Sequence, residues 1–110
     1  MNIFDREIAL ERLGGDQELL DEISVLFLQE YPQMLDRLRV AVQDSDAHTV
    51  MEMAHSMKGS LSTLGAEEGA ILAMDLEMMG RNQALGGSNE ALQRLEEMLS
   101  ALHHELAAAA

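Results

Sequence analysis

Apolar side chains recur at intervals of three and four residues through most of the chain, the spacing that gathers them on one face of an α-helix. The most regular stripe lies near the end of the sequence and consists of Leu92, Leu95, Leu99, Leu102 and Leu106. A second stripe, within residues 47–64, consists of Val50, Ala54, Met57, Leu61 and Leu64. The pattern therefore predicts an all-α protein.

Capping residues divide these patterns into five predicted helices. Helix-capping side chains precede the apolar runs at Asp5, Asp16, Asp46 and Ser88. Glycines, which often follow the last turn of a helix, stand at positions 14, 15 and 65. The predicted helices span residues 6–13, 17–43, 47–64, 66–81 and 89–107.

The first two helices carry further expectations. In the short first helix, Ile8 and Leu10 are expected to point inward. The apolar spacing of the second helix continues through Pro32, which predicts one long helix with a kink at that proline. Leu28 and Leu35 fall beside its stripe and are expected to be partly exposed.

Four long amphipathic helices with short connections pack most simply as an antiparallel up-down-up-down four-helix bundle. The short N-terminal helix would then cover one end of that bundle. A length of 110 residues suits a single domain over residues 1–110 with its own core.

Charge and composition narrow the classes of partner and location. Acidic residues outnumber basic ones by 20 to 7, a net charge of −13 that argues against nucleic acid or an anionic membrane as partner. No cysteine is present, so no disulfide is expected. No apolar run reaches membrane-spanning length and no signal-peptide pattern opens the chain, so we expect a free-standing cytoplasmic protein.

One histidine stands out by its position on the third predicted helix. At about 100° per residue, His55 lies roughly 140° from the centre of the apolar face and should point to solvent. Lys58 follows at i+3 and Gly59 at i+4 on its flank. Because a glycine inside a helix costs about 1 kcal/mol, its presence there suggests that another molecule must come close.

This arrangement suits an exposed nucleophile. A neutral imidazole is nucleophilic, and its ordinary pKa near 6.5 leaves much of it neutral in a cell. Lys58 could offset negative charge on a group that the ring accepts, and Gly59 removes a side chain that would shield the reacting nitrogen. The sequence contains no nucleotide-binding loop or kinase signature.

The residues around His55 resemble a known family. The run Ala54-His55-Ser56-Met57-Lys58-Gly59-Ser60, with Leu64-Gly65-Ala66, Leu76-Glu77 and the opening Arg12-Leu13-Gly14-Gly15-Asp16, is similar to histidine-containing phosphotransfer (HPt) domains. The resemblance covers nearly the whole chain. It implies a helical bundle in which His55 accepts a phosphoryl group from one receiver-domain aspartate and yields it to another.

The resemblance also implies partners and cofactors. They would be receiver domains and a hybrid sensor kinase, met by a monomeric carrier that is not itself an enzyme. The chain would need no cofactor of its own, since the receiver would supply the aspartate and the magnesium.

Three positions depart from the family pattern. Met57 stands where leucine is usual, Leu61 where small residues are common, and Gly69 where a large apolar residue is usual. These departures concern packing and leave the outer face of the histidine helix intact.

A receiver that reaches His55 must bury the surface around it, so an apolar rim is expected there. Met51, on the border of the outer face, is the first candidate, with Leu28 and Leu35 of the long second helix as weaker ones.

Two other functions are open at this stage. His48, Glu52 and His55 have helical spacings found in metal-binding bundles, although no second copy of the motif accompanies them. The other alternative is a non-catalytic helical adaptor or scaffold in which His55 is inert.

Overall fold

The computed structural model describes residues 3–109, and within them the chain forms five α-helices. They are α1 (Arg6–Arg12), α2 (Gln17–Gln43), α3 (Ala47–Thr63), α4 (Glu67–Arg81) and α5 (Ser88–Ala109). The all-α prediction is confirmed, and each predicted helix is present with nearly the predicted bounds. Pro32 lies inside a continuous α2, as predicted.

The aspartates begin their helices as the sequence predicts. A carboxylate oxygen accepts a hydrogen bond from the backbone N–H three residues on at Asp5, Asp16 and Asp46, over 3.1, 3.0 and 3.2 Å respectively. The prediction for Ser88 is wrong. Ser88 is already helical, and its hydroxyl donates to the Leu85 carbonyl at 2.7 Å, which satisfies an acceptor in the preceding loop instead of capping α5.

The core lies between the predicted apolar faces. All five predicted core residues of α3 are fully buried, and the five leucines of the α5 stripe are buried with them. α3 packs against α2 and α4, and α5 packs against α4 and α2. The four long helices therefore surround one core, and the outer face of α3 remains free.

Two predictions about side-chain exposure are wrong. Leu35 is buried, 6% exposed, because α2 also packs against α5, and Leu35 lines a groove with Leu99 of that helix. In α1, Ala9 is the fully buried residue, whereas Ile8 is only half-buried. Leu10 is half-buried against the core, as predicted.

α3 and α4 pack closely because the face of α4 towards α3 is built from small residues. A Cβ placed on Gly80 would lie 2.6 Å from the backbone nitrogen of Met51 and 2.7 Å from the carbonyl oxygen of Ala47. Ala70 and Ala73 are also buried on α4. Although the two helices lie close together, this face also holds one large polar side chain, Glu77, which is 3% exposed.

A helix can cross a membrane only if it is both long and apolar. Within residues 3–109, no helix is both long and apolar enough to cross a membrane.

The turn between α3 and α4 generates a test of how α1 is docked. Gly65 has φ +71°, and a Cβ there would lie 2.6 Å from the Asp5 carbonyl oxygen, whereas Gly15 has φ +81° with no atom within 4 Å of its Cβ position. Both alanine variants incur left-handed strain of about 1 kcal/mol, but Gly65→Ala must also push α1 away. We expect urea denaturation to show losses of about 1 kcal/mol for Gly15→Ala and about 3 kcal/mol for Gly65→Ala. Equal losses would contradict this account of α1 docking.

Candidate functional site

His55 lies on the outer face of α3 with its side chain 66% exposed, as the helical pattern predicts. One ring nitrogen, Nδ1, lies 2.9 Å from Oε2 of Glu77, a residue 22 positions later on α4. An ionised carboxylate can only accept hydrogen bonds, so Nδ1 must carry the proton. The other nitrogen, Nε2, then holds its lone pair when the ring is neutral.

Glu77 is the centre of the site. Its side chain is only 4% exposed, yet three cationic or hydrogen-bonding groups converge on its two oxygens. Lys58 Nζ lies 2.7 Å from Oε1, and Arg81 Nη2 lies 3.0 Å from Oε2, the oxygen that also meets His55. The Lys58 amine and the His55 ring lower the pKa of Glu77 against the opposing effect of burial. Glu77 is therefore ionised at neutral pH.

Lys58 has a structural partner that the sequence did not reveal. Its amine was predicted to offset negative charge at the ring, and in the structure it forms an ion pair with Glu77, with its side chain 30% exposed. The lysine therefore contacts the same carboxylate that contacts His55.

Gly59 occupies an open surface, as the sequence predicts. A Cβ built on Gly59 would meet no atom within 4 Å. The glycine is therefore not required for packing within the part of the chain that is described.

Two depressions flank the exposed face of α3. The smaller one, about 350 Å³, is lined by Met51, Glu52, Met53, His55, Ser56, Glu77 and Arg81. A larger groove of about 620 Å³ runs between α2 and α3 and is lined by Ile23, Leu26, Phe27, Glu30, Met34, Ser56, Gly59, Ser60 and Thr63. Ser56 lines both, so the two depressions meet beside His55.

The predicted docking residues divide between these surfaces and the rest of the molecule. Met51 is half-buried and lines the smaller depression with His55, so it lies where it was predicted. Leu28 lines a separate groove with Phe4 and Leu106, away from His55. Leu35 is buried. The exposed apolar residue of α2 that does line the groove beside Gly59 is Leu26.

Glu77 and Arg81 were not predicted as site residues. Leu76-Glu77 was part of the family-like pattern, but a helical wheel treats one helix at a time and gives no contact between α3 and α4. The i,i+4 spacing of Glu77 and Arg81 was the available signal, since such pairs meet on a helix surface. An acidic residue on an otherwise apolar buried face was the second signal.

The remaining histidines have different surroundings. His48 Nε2 lies 2.6 Å from Glu52 Oε1, but both side chains are more than half exposed. His103 Nδ1 lies 2.7 Å from the Tyr31 hydroxyl. The metal-site alternative placed His48, Glu52 and His55 around one ion, but in residues 3–109 no three His, Cys, Asp or Glu side chains are placed to share an ion.

Comparison with known proteins places this site in context. A family model described as "Hpt domain" matches residues 22–105. Among solved structures, the chain is similar to the crystal structure of histidine-containing phosphotransfer protein B (HptB) from Pseudomonas aeruginosa PAO1. The TM-score is 0.89 at 20% sequence identity, over 97% of this chain and 93% of that one. No curated protein matches the sequence.

The charge of Glu77 leads to a test by pH. Its folded-state pKa is lowered, so its ionised form stabilises the fold above the unfolded pKa, near 4.3, and that stabilisation is lost as the pH falls through the lower folded value. We expect Glu77→Gln to lower the unfolding free energy by about 2 kcal/mol at pH 7. The difference from wild type should shrink below about pH 4.

Urea denaturation between pH 7 and about pH 3 makes this measurement, and Glu52→Gln is the matched control. Glu52 pairs with His48 at the surface, so its loss should change the unfolding free energy by at most about 0.5 kcal/mol. A Glu77→Gln deficit that stays the same at every pH would show that the carboxylate charge is not its cause.

Proposed function

The chain belongs to the Hpt domain family, the histidine phosphocarriers of phosphorelays, and from this premise we propose that Nε2 of His55 carries the phosphoryl group. The observation that carries the proposal is the Glu77 contact. It holds the proton on Nδ1 and leaves the lone pair on the exposed nitrogen, where a partner can reach it. No other described histidine combines exposure with a buried, ionised carboxylate.

The transfer needs no proton to leave the site. The lone pair of Nε2 attacks phosphorus as the bond between phosphorus and the aspartate oxygen of the donor breaks. The aspartate leaves as a carboxylate, and the ring acquires positive charge while Nδ1 keeps its proton. Glu77 faces that developing charge at 2.9 Å and stabilises it, as a carboxylate partner of a histidine does in general acid–base sites. Transfer onward reverses these steps.

Lys58 and Arg81 favour the ionised form of Glu77, which this role requires. A buried carboxylate without cations would take up a proton, and a neutral Glu77 would no longer stabilise a charged imidazole. Lys58 is the largest cause of the lowered pKa of Glu77, and Arg81 adds a second cation 3.0 Å from Oε2.

Receiver domains are the partners of Hpt domains, and we propose that two of them serve His55 in turn, one as donor and one as acceptor. A hybrid sensor kinase would be a source of such a donor. The chain would act as a monomer in the cytoplasm, without a nucleotide site, and the receiver would bring the aspartate and the magnesium. The long helices would run alternately up and down, the arrangement their short connections favour.

We further propose that the receiver docks over the α2–α3 groove. Leu26 is 51% exposed there and lines the same groove as Ser56, the neighbour of His55, so we expect a receiver that reaches Nε2 to cover it. Met51 lies on the other side of His55 and would form the opposite rim. An apolar rim can support docking although the protein carries a strong negative charge, because apolar contacts do not depend on that charge.

The first prediction from this proposal concerns the site of phosphorylation. Incubation with a radiolabelled, phosphorylated receiver domain should place an acid-labile label on the wild-type protein and none on His55→Gln. His48→Gln is the matched control, because His48 is an exposed α3 histidine with a carboxylate partner of its own, and it should keep full labelling. Label on a folded His55→Gln protein would overturn the assignment, and an unlabelled wild type across a panel of receivers would favour the adaptor alternative.

The second prediction concerns docking, for which adjacent residues of α2 provide a matched pair. Leu26 is 51% exposed in the groove beside Gly59, whereas Val25 is 48% exposed in the separate groove with Phe4 and Leu106. Leu26→Glu should slow transfer about tenfold, equivalent to about 1.4 kcal/mol, and Val25→Glu should leave it unchanged. Both variants should keep the wild-type melting temperature within a few degrees. Equal effects on transfer would place the docking surface elsewhere.

The third prediction separates stability from function at Gly59. Alanine should raise the unfolding free energy by up to about 1 kcal/mol, because the position is helical and open. Leucine, also a good helix former, should fold equally well but occupy the space that the receiver enters. Transfer should therefore fall steeply from glycine to alanine to leucine while the melting temperature holds or rises. Normal transfer by Gly59→Leu would show that close approach does not explain the glycine.

A further inference from the structure

We infer that Gly80 is a positioning residue for the phosphotransfer site: by having no side chain, it sets the α3–α4 spacing at which the Glu77 carboxylate reaches Nδ1 of His55. Gly80 touches neither the imidazole nor a partner. It would act through the backbone of α4, on which Glu77 precedes it by three residues, one helical turn.

The contact at Gly80 is between backbones. A Cβ there would lie 2.6 Å from the Met51 nitrogen, 2.7 Å from the Ala47 carbonyl oxygen and 3.0 Å from the Met51 Cα. These atoms belong to the first turns of α3 and cannot rotate away as a side chain would. Ordinary contacts begin near 3.4 Å, so α4 would have to move out by about 0.8 Å to accept a single methyl group.

A movement of that size would break the contact that orients His55. The Nδ1–Oε2 distance is 2.9 Å, and an added 0.8 Å brings it to about 3.7 Å, beyond hydrogen-bonding range. Glu77 has little freedom to follow, because its side chain is only 4% exposed. Catalytic groups work only within about 0.5 Å of their productive positions. A variant with this shift would therefore fold but lose activity.

Gly69 provides the matched control on the same face of α4. It is also a buried helical glycine, but a Cβ there would meet only side-chain atoms, Leu61 Cδ1 and Met98 Cγ at 3.3 Å. Those side chains can adjust by a few tenths of an ångström. Gly69 also lies eight residues from Glu77, about 12 Å along the helix, so its effect should not reach the site.

The experiment compares Gly80→Ala with Gly69→Ala by two readouts. Long-range ¹H–¹⁵N spectra of histidine-labelled protein report which ring nitrogen of His55 carries the proton, and receiver assays report the rate of transfer. Wild type and Gly69→Ala should show the Nδ1–H form and transfer rates within twofold of each other. Gly80→Ala should lose the preference for Nδ1–H and transfer at least tenfold more slowly, while His48, His103 and His104 keep their wild-type signals.

A Gly80→Ala protein that keeps the Nδ1–H form and transfers within twofold of wild type would overturn the inference. If that variant does not fold, Glu77→Asp decides the question, because it withdraws the carboxylate by one methylene without changing the helix spacing. Retention of the Nδ1–H form and of transfer in Glu77→Asp would show that sub-ångström placement is unnecessary and would also overturn it. The inference rests on the proposed role of His55, but the tautomer is measured without a receiver. A wild type that accepts no label would therefore refute the proposed function separately.

Discussion

A buried carboxylate is stable as an anion only if its surroundings replace the water it has lost, and Glu77 depends on this condition. Lys58, Arg81 and His55 supply the replacement. They lie on α3 and α4, and together they contact both oxygens of the carboxylate. The tautomer of His55, with the proton on Nδ1 and the lone pair on Nε2, follows from this one group. Removing the cation of Lys58 or Arg81 would therefore change the chemistry of His55 Nε2, a nitrogen that the cation does not touch.

The site exists because the two faces of α3 have different roles. Its inner side chains, from Val50 to Leu64, are fully buried and hold the helix in place. Its outer face is free to present His55, Lys58 and Gly59, none of which is needed to fill the core. Glu77 alone joins the two faces, since it is buried with the core and reaches the edge of the exposed ring.

Much of the fold followed from local rules, and the part that did not follow depends on neighbouring helices. Three aspartate caps and the stripes of α3 and α5 were predictable because each is a property of one helix. The burial of Leu35 was not, because it depends on α5 packing against a flank of α2 that a single stripe leaves out. The candidate site divides in the same way: the exposure of His55 followed from the wheel, whereas its contact with Glu77 spans two helices.

Leu61 and Gly69 show how two apparent anomalies can be one packing arrangement. In the family pattern the first position usually holds a small residue and the second a large apolar one, and here both are reversed. A Cβ on Gly69 would lie 3.3 Å from Leu61 Cδ1, so the large side chain of α3 occupies the space that the glycine of α4 leaves. Such an exchange preserves the volume between the helices, which well-packed cores tolerate far better than a change at one position alone. Each departure is therefore understandable only with its partner.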